Sequence, residues 1–345
     1  MISRQRRALV AGGAGFLGSH LCGALLAEGW SVLCVDNLLT GCRANLSDHF
    51  GCSRFQFIEA DIVDPLPRAV HGGSFDEIYN LACAASPPAY QADPEHTLLT
   101  SVLGTRRLLQ LAERTGARFL LTSTSEVYGD PLEHPQRETY RGNVNPIGPR
   151  ACYDEGKRAA ETLAFDYDRA GRAAVRVARI FNTYGPRLAA ADGRVVSNMI
   201  VQAIEGRPLT IYGDGSQTRS FCFVDDMIRG LIALIRHDGP QPGPVNLGNP
   251  DEVTVVELAR RVAALTGSPG RIVFRPLPTD DPQRRRPDIG RARSLLGWSP
   301  TVPLEQGLLT TIGWFAENIN VSKPQPTGPR PVMVAQQGGV ADAIC

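Results

Sequence analysis

No stretch of this sequence stays apolar for the roughly 20 residues that a membrane-crossing helix requires, so a membrane-embedded protein is not expected. Charge of one sign is also in short supply: 36 Lys and Arg stand against 35 Asp and Glu, leaving +1. A balance so near zero offers no bulk field for nucleic acid or an anionic membrane. Any anionic ligand must then be held by local groups. Paired cysteines are missing as well. The eight cysteines, at 22, 34, 42, 52, 83, 152, 222 and 345, include no C-x-x-C and no His-rich partner segment, so no metal site is expected. They fit reduced thiols used as small packing residues. The basic Met1–Arg7 runs straight into Ala8-Leu9-Val10 with no apolar leader core before it, which points to a cytoplasmic location. Internal repeats are lacking too.

What is present is an ordinary globular composition in 345 residues, enough for one large or two intimate domains. Short β-rich runs alternate with helical patterns through the first half. Arg7–Val10, Ser31–Val35, Phe55–Ile58, Glu77–Leu81 and Arg118–Thr122 read as strands. Leu17–Glu28, Thr97–Arg114 and Tyr153–Ala170 carry apolar residues at helical spacing, and Ala174–Ile180 reads as a further strand. Such alternation implies parallel pairing, hence an α/β fold built on a doubly wound sheet of the Rossmann-like kind.

After Asn182 the rhythm changes, with longer loops at Gly185-Pro186-Arg187 and Gly213-Asp214-Gly215. Val224–Arg236 and Val245–Leu247 read as a helix and strand returning to the sheet. Thr254–Leu265, Arg291–Leu296 and Leu304–Glu317 form a smaller helical region. The expected division is a sheet domain over 1–182, rejoined by 224–250, and an interleaved C-terminal lobe over 183–223 and 251–320. Residues 321–345, rich in Pro, Gln and Gly, read as a disordered tail.

Gly12, Gly15 and Gly18 stand between the first strand and the first helix. Glycine there permits a tight turn and close approach of backbone to phosphate, and the helix N-terminus offers N–H groups to a pyrophosphate. Asp36 ends the next strand, where a carboxylate would accept from a ribose diol and repel a 2′-phosphate. NAD is therefore expected over NADP. Asp61 and Ile62, after the third strand, could flank the adenine. Phe16, Leu17, Asn37, Leu81, Ala82 and Thr122 complete the expected cofactor set.

Tyr153 and Lys157 are four apart at the start of a helix, so they share a face. An ammonium beside a phenol, aided by a positive nicotinamide ring, would make the tyrosine a base near neutrality. The Thr122–Gly129 run (TSTSEVYG) follows the fifth strand, whose C-terminal end borders the ligand crevice of such a sheet.

These motifs resemble the extended short-chain dehydrogenase/reductases that modify nucleotide sugars, over about residues 7–318. Longer strings are similar to the UDP-glucuronic acid decarboxylases: Ala85-Ser86-Pro87-Pro88, STSEVYGD at 123–130, NPIGPRACYDEGK at 145–157, VARIFNTYGPR at 177–187 and DGRVVSN at 192–198. The resemblance implies a UDP-sugar substrate. Tyr153 would take the proton from the sugar C4 hydroxyl, Lys157 would lower its pKa and bind the nicotinamide ribose, and Thr124 would hold the same hydroxyl. Glu126 would lie near C5, with Ser125 beside it. Related 4,6-dehydratases carry Thr-Asp-Glu at 124–126, so Ser125 removes the acid that expels a hydroxyl. Oxidation at C4 would place the C6 carboxylate β to a ketone, CO2 would leave, and re-reduction would give UDP-xylose.

Arg219 and Arg286 match family arginines near the diphosphate, with Asn182, Val196, Ser197, Tyr212 and Gln217 completing that pocket. Arg284 and Arg285 read as a solvated face. Pro87, Tyr90 and Ser125, and also Arg187, are expected near the substrate carboxylate. Ser101 and Ala84 stand where the family usually has Asn and Pro, so a link to water or backbone near the site is expected to change. The helices over Thr97–Arg114 and Tyr153–Ala170 resemble a pair that forms a four-helix contact, implying a homodimer. Two other outcomes fit part of the pattern: UDP-glucuronate 4-epimerisation, and a non-catalytic NAD-binding scaffold or redox sensor. Intact Thr124, Tyr153 and Lys157 argue against the scaffold.

Overall fold

The computed structural model describes residues 5–277 and 284–319; the expected tail over 321–345 lies outside them. The main sheet is built from β1 (Arg7–Ala11), β2 (Ser31–Asp36), β3 (Phe55–Glu59), β4 (Glu77–Asn80), β5 (Arg118–Thr124) and β6 (Val175–Ile180). β7 (Thr183–Tyr184), β8 (Leu209–Tyr212), β9 (Thr218–Ser220) and β10 (Cys222–Phe223) follow outside it. β11 (Pro244–Leu247) then returns as its seventh strand. The order across the sheet is β11-β6-β5-β4-β1-β2-β3, and every pairing is parallel. β1 and β2 are buried almost end to end, as strands covered on both faces must be.

The order reverses between β1 and β4, which opens a crevice at the carboxyl ends of the strands. There Ala11 pairs with Val35 on one side and Asn80 on the other.

The first-half helices are α1 (Phe16–Ala27), α2 (Arg68–His71), α3 (Pro87–Ala92), α4 (Pro94–Leu99), α5 (Thr105–Thr115) and α6 (Ala151–Arg169). Later ones are α7 (Val195–Ile204), α8 (Val224–Ile235), α9 (Val255–Thr266), α10 (Gly290–Leu296) and α11 (Leu304–Asn318). Leu21 and Leu25 of α1 pack with Leu231 and Leu234 of α8 on one face of the sheet. Leu108 and Leu109 of α5 and Ala160 and Ala164 of α6 fill the other. Hydrophobic burial on both faces is the main source of stability for such a layer.

The segment read as one helix over Thr97–Arg114 is broken: α4 passes through a wider π turn, Thr100–Gly104, before α5. The turn keeps the apolar face in phase, so periodicity alone hides it, and such turns cluster at functional sites.

Beyond β6, β13 (Ile272–Arg275) pairs with β8, and β9 lies between β12 (Glu252–Thr254) and β14 (Arg284–Arg285). α7, α9 and α11 pack together beside these strands. Among the described residues no helix is long and apolar enough to cross a membrane, and no cluster of His, Cys, Asp or Glu is arranged to hold a metal.

Candidate active site

A cleft of about 250 Å³ runs over the crevice between β1 and β4. At one end, Gly12 turns with φ +77°, and a Cβ there would come within 2.7 Å of the Ala82 backbone. A Cβ on Gly18 would meet the Gly12 carbonyl at 2.1 Å. Only glycine lets α1 start this close to the strand ends. Gly15 caps α1 without a side-chain bond, so the helix presents backbone N–H groups to the cleft beside Phe16 and Leu17.

Asp36 faces the same end. One carboxylate oxygen accepts from the Ala14 amide at 2.9 Å and the other from Leu38 at 2.8 Å. Burial raises its pKa, and these amides partly offset the rise. Asp61 accepts from Asn37 at 2.8 Å and Val63 at 2.9 Å, and pairs with His96 at 2.7 Å. Burial alone would raise Asp61, but these bonds hold it far below the usual carboxylate range. Ile62, Leu81, Ala82 and Thr122 line the cleft as well. A carboxylate, a tight glycine turn and an uncapped helix start are a fitting set for a dinucleotide.

At the other end lie Thr124, Ser125 and Glu126 from the tip of β5, and Tyr153 and Lys157 from α6. The Lys157 ammonium donates to the Thr122 carbonyl at 2.9 Å and sits 6.0 Å from the Tyr153 ring centre. Burial pushes Lys157 down. It pushes the Tyr153 hydroxyl up, while a hydrogen bond from Thr124 pulls that hydroxyl down. Tyr90 stacks on Tyr153, ring centres 5.1 Å apart and planes 4° from parallel.

Glu126 differs most from the sequence reading. It is not a loose carboxylate. Arg150 donates to it at 2.5 Å, and Arg285 forms a two-pronged pair with it, one bond at 2.9 Å. Burial would raise its pKa, but the two guanidiniums hold it down to about 2. Arg285 is thereby corrected from a solvated residue to a buried one, 5% exposed. It pairs in register with Arg219 through β14 and β9. A two-residue strand inside a run of three arginines leaves no periodic signal by which sequence could have found it.

Ser101 stands in the π turn with its hydroxyl 3.4 Å from the Cys83 thiol. Its Cβ occupies space left by Gly156. Ala84 is buried against Tyr90 and Tyr153.

Of the residues expected at the substrate end, Asn182 and Arg187 line this cleft. Pro87, Tyr90, Val196, Ser197, Tyr212, Gln217, Arg219 and Arg286 do not. Tyr90 stacks its ring on Tyr153 and leaves its buried hydroxyl without a hydrogen-bond partner among the described residues, and Val196 and Ser197 are buried in α7. Gln217 donates to the Tyr212 carbonyl at 2.5 Å, and Arg286 faces Glu252 at 3.7 Å. Arg194, Asp192 and Trp314 line the cleft although the motifs did not single them out as site residues.

Residues 8–248 match the model of the NAD dependent epimerase/dehydratase family. The chain is 54% identical over 313 residues to UDP-glucuronic acid decarboxylase 4 of Arabidopsis thaliana, covering 91% of this chain and 69% of that one. It is 52% identical over 329 residues to UDP-glucuronic acid decarboxylase 1 of Xenopus tropicalis, covering 93% and 76%. A solved UDP-glucuronic acid 4-epimerase from Bacillus cereus, in complex with UDP-glucuronic acid and NAD, superposes with a TM-score of 0.81. That match has 29% identity and covers 90% of this chain and 99% of the other. The chain belongs to the NAD dependent epimerase/dehydratase family, and its likeness to the UDP-glucuronic acid decarboxylases holds over nine-tenths of its length.

Proposed function

We propose that this protein decarboxylates UDP-glucuronic acid to UDP-xylose with NAD, through a 4-keto sugar formed and consumed in one site. The observation that carries this is the single cleft joining a dinucleotide end to Thr124, Glu126, Tyr153 and Lys157, in a chain half-identical to decarboxylases. NAD, when bound, supplies hydride acceptance and return at the sugar C4, and a positive ring that favours a phenolate nearby.

Tyr153 takes the C4 hydroxyl proton at its phenol oxygen, and Thr124 donates to the same centre. With a ketone at C4, the C5–C6 bond electrons pass to the C4 oxygen as CO2 leaves, and the two hydroxyls hold that enolate oxygen. Lys157 positions the cofactor ribose and Tyr153. Glu126, ion-paired with Arg150 and Arg285, lines the cleft, where it holds the sugar ring in pose or orders a water that protonates C5 of the enolate. Ser125 offers no acid to expel a hydroxyl.

The uridine diphosphate is assigned to Asn182 in the cleft and, beyond it, to Val196, Ser197, Tyr212, Gln217, Arg219 and Arg286, with Ser125 and Arg187 toward the substrate carboxylate. A homodimer through α5 and α6 as a four-helix contact belongs to the same reading.

The test is incubation with UDP-glucuronic acid and NAD, followed by CO2 measurement and NMR of the nucleotide sugar. The expected product is a pentose with one CO2 per turnover. A product that keeps six sugar carbons and differs only at C4 would make the protein an epimerase instead.

A further inference from the structure

A sugar acid in this cleft needs a partner for its carboxylate, and the geometry points to Arg194, held by Asp192, as the residue that binds and orients it. This rests on the proposed decarboxylation only for the identity of the substrate.

Three cations line the cleft among the described residues: Lys157, Arg187 and Arg194. Lys157 is committed to the Thr122 carbonyl. Arg187 is tied to the exposed Asp48 at 2.9 Å. Arg150 and Arg285 are engaged by Glu126 and lie outside the cleft lining. Arg194 is different. Its Nε and Nη2 donate to the Asp192 carboxylate, Nη2 at 2.9 Å, while Nη1 has no protein partner among the described residues. Its side chain is 36% exposed, and it opens onto the cleft.

The backbone beneath it is pinned. The Arg194 carbonyl accepts from the Asn198 amide and the Ser197 hydroxyl, both at 3.0 Å. The Gly193 carbonyl accepts from the Asn198 side chain at 3.0 Å. Gly193 has φ +85°, and a Cβ there would stand 2.9 Å from Pro88. The turn is therefore seated on α3, the helix whose Tyr90 stacks on Tyr153. Arg194 and Tyr153 thus line the same cleft, and the guanidinium's charge acts on the Tyr153 hydroxyl in the direction of the phenolate.

Tyr153 addresses C4 of the sugar, and C6 is two bonds away through C5. The diphosphate hangs from C1, across the ring. A cation lining the Tyr153 part of the cleft is therefore nearer the carboxylate than the diphosphate.

Asp192 also suits the chemistry. A bare guanidinium would stabilise the ionised carboxylate most in the reactant, and the reaction must give that charge up. A guanidinium already neutralised by Asp192 supplies directed N–H bonds with little net charge.

The full-length enzyme with NAD, carrying Tyr153→Phe so that the sugar acid is not consumed during the titration, is titrated with UDP-glucuronic acid, UDP-glucose and UDP-xylose, with Arg194 intact and as Arg194→Gln. The Kd for UDP-glucuronic acid is expected to rise about 10- to 100-fold, the size of one lost charge-assisted bond. The other two ligands should shift by less than about threefold, which also reports an intact fold. Equal weakening of all three would make Arg194 a phosphate ligand and overturn the assignment, as would no change in any. Asp192→Asn supplies an independent arm: with the full charge restored, UDP-glucuronic acid should bind more tightly and release CO2 more slowly, and weaker binding counts against the assignment. Should wild type release no CO2 while Arg194→Gln still loses only the carboxylate ligand, the decarboxylation reading fails and Arg194 stands.

Discussion

Asp36 is bonded on both oxygens before any ligand arrives, by the amides of Ala14 and Leu38. Its charge is therefore fixed in place at the cleft end where a ribose diol would sit. A 2′-phosphate brought there would meet a carboxylate that cannot swing away. NAD is expected to bind about 10- to 100-fold more tightly than NADP, from one lost hydrogen bond plus like-charge repulsion. Asp36→Ala should narrow that gap. It should also lower the Tm, because two amides lose their acceptor. Calorimetric titration with both dinucleotides checks the first statement, and comparable binding of the two by wild type would dismiss it.

On α6, Asp154 follows Tyr153 and is buried, with one carboxylate oxygen lacking any hydrogen-bond partner. Burial, and then the nearby charge of Glu126, push it up to about 7, against the pull of Arg150 and Arg285. An acid raised in the fold above its unfolded value of about 3.9 is penalised when ionised. The penalty is absent below pH 4, grows as pH rises toward 7, and is complete above it. Asp154→Asn should therefore match wild-type Tm near pH 4 and exceed it by about 2 °C or more at pH 8. Thermal unfolding across that range decides the point, and a difference that does not change with pH would mean Asp154 is ionised throughout.

The same scale shows what sequence could reveal. β1, β2 and α1 were legible to within a residue or so because period and glycine punctuation are local signals. The π turn at Thr100–Gly104 and the burial of Arg285 were not, since one preserves the apolar phase and the other depends on a distant strand. α7 was missed as a helix because its DGRVVSN start was absorbed as a binding motif. The motif residues Thr124, Tyr153 and Lys157 do meet in one cleft. The partners of Glu126 come from elements 24 and 159 residues away and had no local trace.

Across the whole molecule, that clamp joins the sheet to the C-terminal region: Glu126 lies just past β5 and Arg285 on β14. Glu126 serves two guanidiniums, whereas Arg285 serves a carboxylate that Arg150 also holds. Removing the shared partner should therefore cost more. Glu126→Gln leaves Arg150 and Arg285 facing each other with little solvent, and breaking a buried pair from one side costs about 3–5 kcal/mol. Arg285→Met leaves Glu126 still paired with Arg150 and should cost less. The double variant replaces the clamp by a neutral amide and an apolar chain, with a single cation left to solvate. Its loss should be smaller than the sum of the two single losses, because part of each is the stranded charge. Urea unfolding of all four proteins gives the cycle directly. Strict additivity would mean that Glu126 and Arg285 do not share the charge the structure places between them.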